Sequence, residues 1–502
     1  MTGAPDPHDP PRVMSTQHPD NATVPFFAEG DVIEGETEVR EAYYAYSHLG
    51  CDEQMWDFEG KEGDEYAVKK LLSRFDDYFA DERLGAENRL TLRGPNPDLE
   101  ESEAKILLEI LESIPRSYDA AEAFYRNLRN IDGEGEHRTV APIHEVIVPM
   151  VTSASQVNAV HDYYEDFVVG KADRAIDGRT VADWVGPFRP EEIAVIPLIE
   201  DREYLLNADE ILRGYLEGRD RDAQRVFLAR SDPALNYGSL AADLVNKVSL
   251  RRLYHAAADL DVELYPILGA GPAPFRGGLT PDTVDRVLDT YPEVETFTVQ
   301  SGFKYDYPPQ DVQAAIERLR TAERDRTAPE VDESRLLAVA DRSAERYSEQ
   351  VSEVAPTVNR LAEYVPQRRD RKLHVGLFGY SREVGEIELP RAITYTAALY
   401  SIGFPPTLMG LAGLEADDWA VVDDCLPGFR ELLASAARYY NPRSLSVLPL
   451  DEDEVRPALD RVDVTPDPDH RAATDEVIDA LDTGGDVRSG IVRAARCRQF
   501  LG

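Results

Sequence analysis

His18, with Asp20 and Asn21 in the segment TQHPDN, is the first of several reactive groups that follow short apolar runs. Arg93 ends LTLR, Glu200 and Asp201 follow IAVIPLI, and Arg230, Ser231 and Asp232 follow RVFLA. Arg276 stands in the loop GAGPAPFRGG, Gln300, Ser301 and Lys304 follow TFTV, and Arg382 closes GYSR. Glu200 and Asp232, at the ends of neighbouring runs, are hard oxygen donors that suit Mg²⁺ or Mn²⁺ with room left for water and substrate oxygens. The arginines have planar forks that match carboxylate and phosphate. Metal, arginines and one histidine together point to an anionic, phosphorylated substrate passing through an enolate, whose charge a divalent cation would stabilise. A single carboxylate at a strand end is more often a helix cap or a salt bridge. The convergence of six or more such ends weakens that plainer reading.

Such groups converge only if the runs that carry them lie side by side. Seven segments are apolar, β-branched and end abruptly: Leu90–Asn96, Glu145–Ser153, Ile193–Asp201, Arg225–Asp232, Val262–Gly271, Thr296–Gly302 and Leu373–Arg382. Unbroken apolar runs fit strands buried on both faces of a parallel sheet. An eighth strand fits just before Ser15–Asn21. Helical stretches lie between, with start signals at Ser102, Ser155, Asn207, Ser239 and Thr280–Pro281. The repeating βα spacing and the count of eight predict an α/β fold, an eight-stranded parallel β/α barrel of the TIM type elaborated with many further helices. An open doubly wound sheet is the competing architecture. In a barrel the strand ends form the active face. The expected organisation is a disordered lead-in over 1–13 and one large catalytic barrel domain over 14–502. Helical insertions are expected at about 30–85 and 310–370, with a helical region at about 389–502. Met14 is a candidate start.

Other residues carry weaker signals. His48 beside Cys51–Asp52–Glu53 has no second ligand pair at a zinc spacing. His144, His374 and the aromatic cluster Tyr43, Tyr44 and Tyr46 read as structural. Arg276–Gly277–Gly278 alone is a weak phosphate-loop signal, since glycine-rich turns usually serve backbone geometry.

The net charge is −41, from 95 acidic and 54 basic residues, and only 8 of the basic residues are lysine. Nucleic-acid binding needs a basic footprint, and anionic membranes attract basic surfaces, so both partners are disfavoured. With 42% hydrophobic and 9% aromatic residues the chain can build a core, and the acid is spread along it. This composition fits a halophilic cytoplasm, where salt near 1 M shortens the Debye length to about 3 Å and screens self-repulsion. Three cysteines without a CxxC pair fit a reducing compartment. No run approaches the length of a membrane span, and the proline-rich N-terminus lacks the apolar stretch of a secretory signal.

The segments MSTQHPDN, AYYAYSHLGCDEQMWDFEGKEGDEYAVKKLLSRF, LTLRGPNP, PFRGGLTP and GYSRE together resemble the archaeal-type phosphoenolpyruvate carboxylases. The likeness extends from Met14 to Gly502. It implies a helix-elaborated barrel, a homotetramer, Mg²⁺ or Mn²⁺, and conversion of phosphoenolpyruvate and bicarbonate to oxaloacetate and phosphate. Weaker similarity to the larger bacterial and plant carboxylases implies His18 as the catalytic histidine, Glu200 and Asp232 as metal ligands, and Arg276 as the arginine of a Gly-Arg loop. Their first Gly-Arg loop has no counterpart here, where ILGAGP offers Leu268 and Ala270. Arg93, Arg382, Arg391 and Lys304 are the further candidates for substrate contacts, with Arg382 on a loop that could close over the site. Another enzyme of the phosphoenolpyruvate/pyruvate barrel group, a lyase or phosphotransferase, and a non-catalytic barrel scaffold remain the alternatives.

Overall fold

The computed structural model describes residues 10–58, 63–100, 103–132, 140–369, 382–384 and 387–502. Eight parallel strands close into a barrel: β1 (Val13–Ser15), β2 (Glu53–Asp57), β3 (Arg89–Arg93), β4 (Glu145–Val148), β5 (Ala194–Ile199), β6 (Ala223–Ala229), β7 (Glu263–Gly269) and β8 (Thr296–Val299). Each strand pairs with its neighbour in sequence, and β1 closes the ring against both β2 and β8, with Met14 opposite Glu53 and Val13 opposite Phe297. The closed barrel therefore prevails over the open sheet.

Strand side chains alternate in direction, so residues two apart share a face. Met14, Met55, Ile147, Ile196, Leu198, Phe227, Ala229 and Ile267 form one apolar cluster filling the barrel interior. Two residues earlier on β2 and β6, Glu53 and Arg225 meet at 2.8 Å, and Arg225 also reaches Glu145 at 2.8 Å. Burial would raise the Glu145 pKa, but the Arg225 charge outweighs it and holds the carboxyl below its usual range. The interior thus carries an ionic layer at the strand starts, an apolar layer above it, and a second polar layer at the strand ends.

Two strand expectations need correction. Residues 30–85 were expected to form a helical insertion, yet β2 lies within them. Its inward residues Glu53 and Asp57 are acidic because they answer Arg225 and Arg93, so β2 lacks the apolar run that marks the other strands. The expected strand Leu373–Arg382 lies outside the described residues except for Arg382, and the barrel closes without it. Arg382 instead begins a short strand, Arg382–Val384, paired antiparallel with Ile387–Leu389.

The barrel also begins earlier than expected. Val13 belongs to β1, and the backbone N–H groups of Arg12 and Val13 donate to the Asp52 carboxylate at 3.0 and 3.1 Å. Helices follow the predicted starts, among them Ala104–Asp132, Ala154–Tyr163, Ala208–Leu216 and Ser239–Leu260. Further helices at Glu333–Ala362, Ala392–Ser401 and Val487–Arg498 pack around the barrel and bring the last residues back to it. Among the described residues, no helix is long and apolar enough to cross a membrane.

Candidate active site

The segment after β1 is held from several sides. His18 is half-buried, and its Nδ1 lies 2.7 Å from the Thr16 hydroxyl. Lys304, in the short helix Ser301–Tyr305 after β8, donates to Ser15 Oγ at 2.9 Å and to the Thr16 carbonyl at 3.0 Å. Its ammonium also faces Glu41 at 3.2 Å, and both side chains are fully buried. Lys304 was expected to touch substrate. In the structure its ammonium is buried and taken up by these three partners. Burial pulls its pKa down from the usual lysine value, against the raising influence of Glu41.

Glu41 is shared with Arg369, whose Nη1 donates to it at 2.8 Å and whose Nη2 donates to it and to Ser301 Oγ. Neither Glu41 nor Arg369 was singled out in the sequence. Glu41 lies in the helix Glu36–Tyr44, far from any strand end in sequence, and only the fold brings it beneath β1.

Arg276 is the most connected of the expected residues. Its guanidinium donates to Asp20 at 3.2 Å, Ser231 Oγ at 3.0 Å, Gln300 Oε1 at 2.5 Å and the Gly502 backbone oxygen at 2.7 Å. Only 1% of the residue is exposed. It therefore ties together the segments after β1, β6 and β8, and a substrate contact would require one of these partners to give way. Asp20 accepts also from the Gly302 N–H at 2.9 Å, and its carbonyl accepts from the Leu501 N–H at 2.7 Å. Burial raises the Asp20 pKa despite the nearby Arg276 charge.

Arg93, at the end of β3, makes a two-pronged ion pair with Asp57 at the end of β2. Three of the expected anion-binding cations, Arg93, Arg276 and Lys304, thus each face a buried carboxylate: Asp57, Asp20 and Glu41. A cation taken out of water is costly unless paired, which accounts for the pairing.

Glu200 directly follows β5 and, by alternation, shares the inward face with Ile196 and Leu198. Asp232 stands in the first turn of the helix Ser231–Tyr237 that follows β6, the strand paired with β5. Both are half-buried. Asp201 is diverted from the site, because its side chain caps the next helix by accepting from Glu203 N at 2.9 Å. Arg230 is likewise diverted, with its donors on Asp243, Ser239 and the Phe275 carbonyl. Glu200 and Asp232 remain as the hard-oxygen pair on adjacent strand ends, which fits a divalent cation that completes its shell with water and substrate. Among the described residues, no group of three or more His, Cys, Asp or Glu side chains is gathered for a metal.

Arg391 is half-buried just before the helix Ala392–Ser401. The hairpin that carries Arg382 lies against the helix of Asp232. Of the weaker candidates, His374 lies outside the described residues, and the others make structural contacts. His144 is half-buried, and its desolvation lowers its pKa, while His48 stacks on Tyr44 and meets Ser47 at 2.7 Å. Burial pushes the Cys51 thiol up to about 12, leaving it protonated and inert. Tyr43 stacks on Phe75 with ring centres 3.8 Å apart.

The profile described as phosphoenolpyruvate carboxylase matches residues 10–502. The chain belongs to the phosphoenolpyruvate carboxylase family. A phosphoenolpyruvate carboxylase of Halobacterium salinarum is 64% identical over 497 residues, covering 98% of this chain and 100% of the relative. One from Methanospirillum hungatei is 51% identical over 498 residues, covering 98% and 99%. One from Methanothermobacter thermautotrophicus is 50% identical over 496 residues, again covering 98% and 99%. Among solved structures, an HpcH/HpaI aldolase from Desulfitobacterium hafniense aligns with 58% of this chain and 86% of its own at 17% identity, with a TM-score of 0.31. Family members are carboxy-lyases, and the barrel described above is where this member holds its strand-end residues.

Proposed function

We propose that this chain carboxylates phosphoenolpyruvate with bicarbonate, giving oxaloacetate and phosphate. The observation that carries the proposal is the family match over residues 10–502, in a barrel whose strand ends offer His18, Glu200 and Asp232. Glu200 and Asp232 would hold Mg²⁺ or Mn²⁺, which when bound stabilises negative charge developing on the substrate oxygens. Arg93, Arg382 and Arg391 contact the carboxylate and phosphate of phosphoenolpyruvate, and Arg276 supports them by fixing the loops.

A bicarbonate oxygen attacks phosphorus, and the bond from phosphorus to the enol oxygen breaks. The products of that step are carboxyphosphate and the enolate of pyruvate. His18 takes the carboxyphosphate proton as general base. Loss of that proton releases CO₂ and phosphate, and the enolate carbon forms a bond to CO₂. The hairpin of Arg382 shields the enolate from water, which would otherwise protonate it to pyruvate. The His18 ring is set for this by Thr16, itself held by Lys304.

The test is product analysis of His18→Asn. Bicarbonate-dependent phosphate release should persist while pyruvate replaces oxaloacetate. Oxaloacetate at the parent rate would reject the role given to His18. The assay requires no nucleotide, which separates the carboxylase from a phosphotransferase. The acidic composition supports a cytoplasm of high salt, and the family resemblance supports a homotetramer; activity across a salt series and the solution mass would check these.

A further inference from the structure

The segment from Thr16 to Thr23, which carries His18 after β1, belongs to neither strand nor helix. Its backbone groups therefore lack a ladder, and each one taken out of water needs a partner from elsewhere in the chain. Asn21 and Ala22 are both 1% exposed. Their carbonyls accept from Arg368, whose Nε donates to Asn21 at 3.1 Å and whose Nη2 donates to Ala22 at 2.9 Å. The N–H groups of Ala22 and Thr23 donate to the Asp306 carboxylate, to Oδ2 at 2.7 Å and to Oδ1 at 2.6 Å. One guanidinium thus holds two successive carbonyls, and one carboxylate holds two successive N–H groups, over the same short stretch.

Asp306 directly follows the short helix Ser301–Tyr305, and that helix reaches the segment at two earlier points. Lys304 donates to the Thr16 carbonyl at 3.0 Å, and the Gly302 N–H donates to Asp20 Oδ1 at 2.9 Å. Contacts at Thr16, Asp20, Ala22 and Thr23 therefore fix the chain on both sides of His18. Arg368 arrives from another direction, beyond the helix Glu333–Ala362, and is 6% exposed. Loops ordinarily run over the surface and leave their backbone groups to water. Here a carboxylate and a guanidinium are withdrawn from solvent, at a desolvation cost, to hold the backbone just beyond one histidine.

From these contacts we infer that Asp306 and Arg368 are positioning residues for the carboxylation, which keep the His18 ring where it acts on carboxyphosphate. This rests on the role proposed for His18 and adds two residues to which that reading gave no part. Misplacing a reacting group by about 1 Å can cost about a hundredfold. With His18 displaced, carboxyphosphate is hydrolysed by water to bicarbonate and phosphate, and the enolate takes a proton from water to become pyruvate. A loosened segment is then read in the identity of the product as well as in the rate.

Product analysis of the whole enzyme supplied with Mg²⁺ tests this at pH 8, above the value of about 7 to which desolvation pushes the Asp306 carboxyl. Initial rates are taken for phosphate, for pyruvate, and for oxaloacetate trapped by malate dehydrogenase. Asp306→Asn keeps the size of the side chain but sets an amide N–H₂ against a backbone N–H. Arg368→Lys keeps the charge but loses the planar fork. In each variant the ratio of pyruvate to oxaloacetate should rise about tenfold or more over the parent. Loss of folded protein alone lowers the rate without moving that ratio, and Arg368→Lys keeps the test valid if Asp306→Asn does not fold. His18→Asn, run alongside, separates the two ways of failing. Oxaloacetate from that variant at the parent rate would remove both the role of His18 and the positioning of it. Pyruvate from His18→Asn, with the parent's product ratio in both Asp306→Asn and Arg368→Lys, would overturn the positioning roles alone.

Discussion

Arg93 and Asp57 face each other across paired strand ends, with Nε 2.9 Å from Oδ1 and Nη2 2.7 Å from Oδ2. Two parallel bonds fix the plane of the guanidinium and hold both groups in a buried layer. Removing one partner strands the other charge away from water. Asp57→Asn should therefore destabilise the protein by about 3–5 kcal/mol, and the double change Asp57→Leu with Arg93→Met should recover part of that loss. Denaturant midpoints of the three proteins measure it, and a double variant no better than the single would contradict the pairing argument.

Glu200 and Asp232 give a separable prediction about metal. Mn²⁺ binding, followed by electron paramagnetic resonance of the free ion, should be lost in Glu200→Ala and in Asp232→Ala while the fold persists. Undiminished binding in both would remove the proposed metal pair.

Glu41 links the site to acid stability. Burial alone would raise its pKa, but the charges of Arg369 and Lys304 outweigh that and carry it well below its ordinary value of 4.5. A depressed carboxyl pKa means that the unfolded state binds its proton first as pH falls. The stability due to Glu41 is thus fully present above about pH 4.5 and lost progressively below it. Glu41→Gln should cost about 3–5 kcal/mol at pH 7, and the gap to the parent should narrow as pH falls below 4.5. Unfolding midpoints at pH 7 and pH 4 would show whether it does.

Gly502 tests the packing of the last segment against the site. A Cβ there would overlap the Ile393 carbonyl oxygen and lie 2.8 Å from Ala397 N, both backbone atoms that cannot swing aside. The Gly502 oxygen would be pushed off Arg276, its partner at 2.7 Å. Gly502→Ala should lower kcat by about tenfold to a hundredfold through loss of loop positioning, with little change in thermal midpoint. Parent-like turnover would show that the Arg276 contact is dispensable.

Much of the architecture was legible because parallel strands buried on both faces write themselves as apolar runs. Six of the eight strands carry that mark, and β1 was placed by the polar cluster that follows it. β2 was illegible for the opposite reason: its inward residues answer cations on β6 and β3, which no local pattern reveals. The site divided in the same way. That His18, Arg93, Glu200, Asp232 and Arg276 stand at or after strand ends could be read from the βα repeat. Asp57, Glu41 and Arg369, which hold Arg93, Lys304 and the His18 backbone, depended on contacts between remote segments. The Lys304 charge is visible in sequence, and its pairing with Glu41 is not.

The closure of the ring through β1 has a consequence for assembly. Three residues, Val13–Ser15, must pair with Glu53 and Gln54 on one side and with Phe297–Val299 on the other. As the chain is synthesised, β1 is the first strand made and the last to be completed. Its outer edge stays open until β8 emerges, and long-range parallel pairing of this kind is slow and exposed to aggregation. The ring therefore cannot close before β8 has been made, and until then β1 has a partner on one side alone.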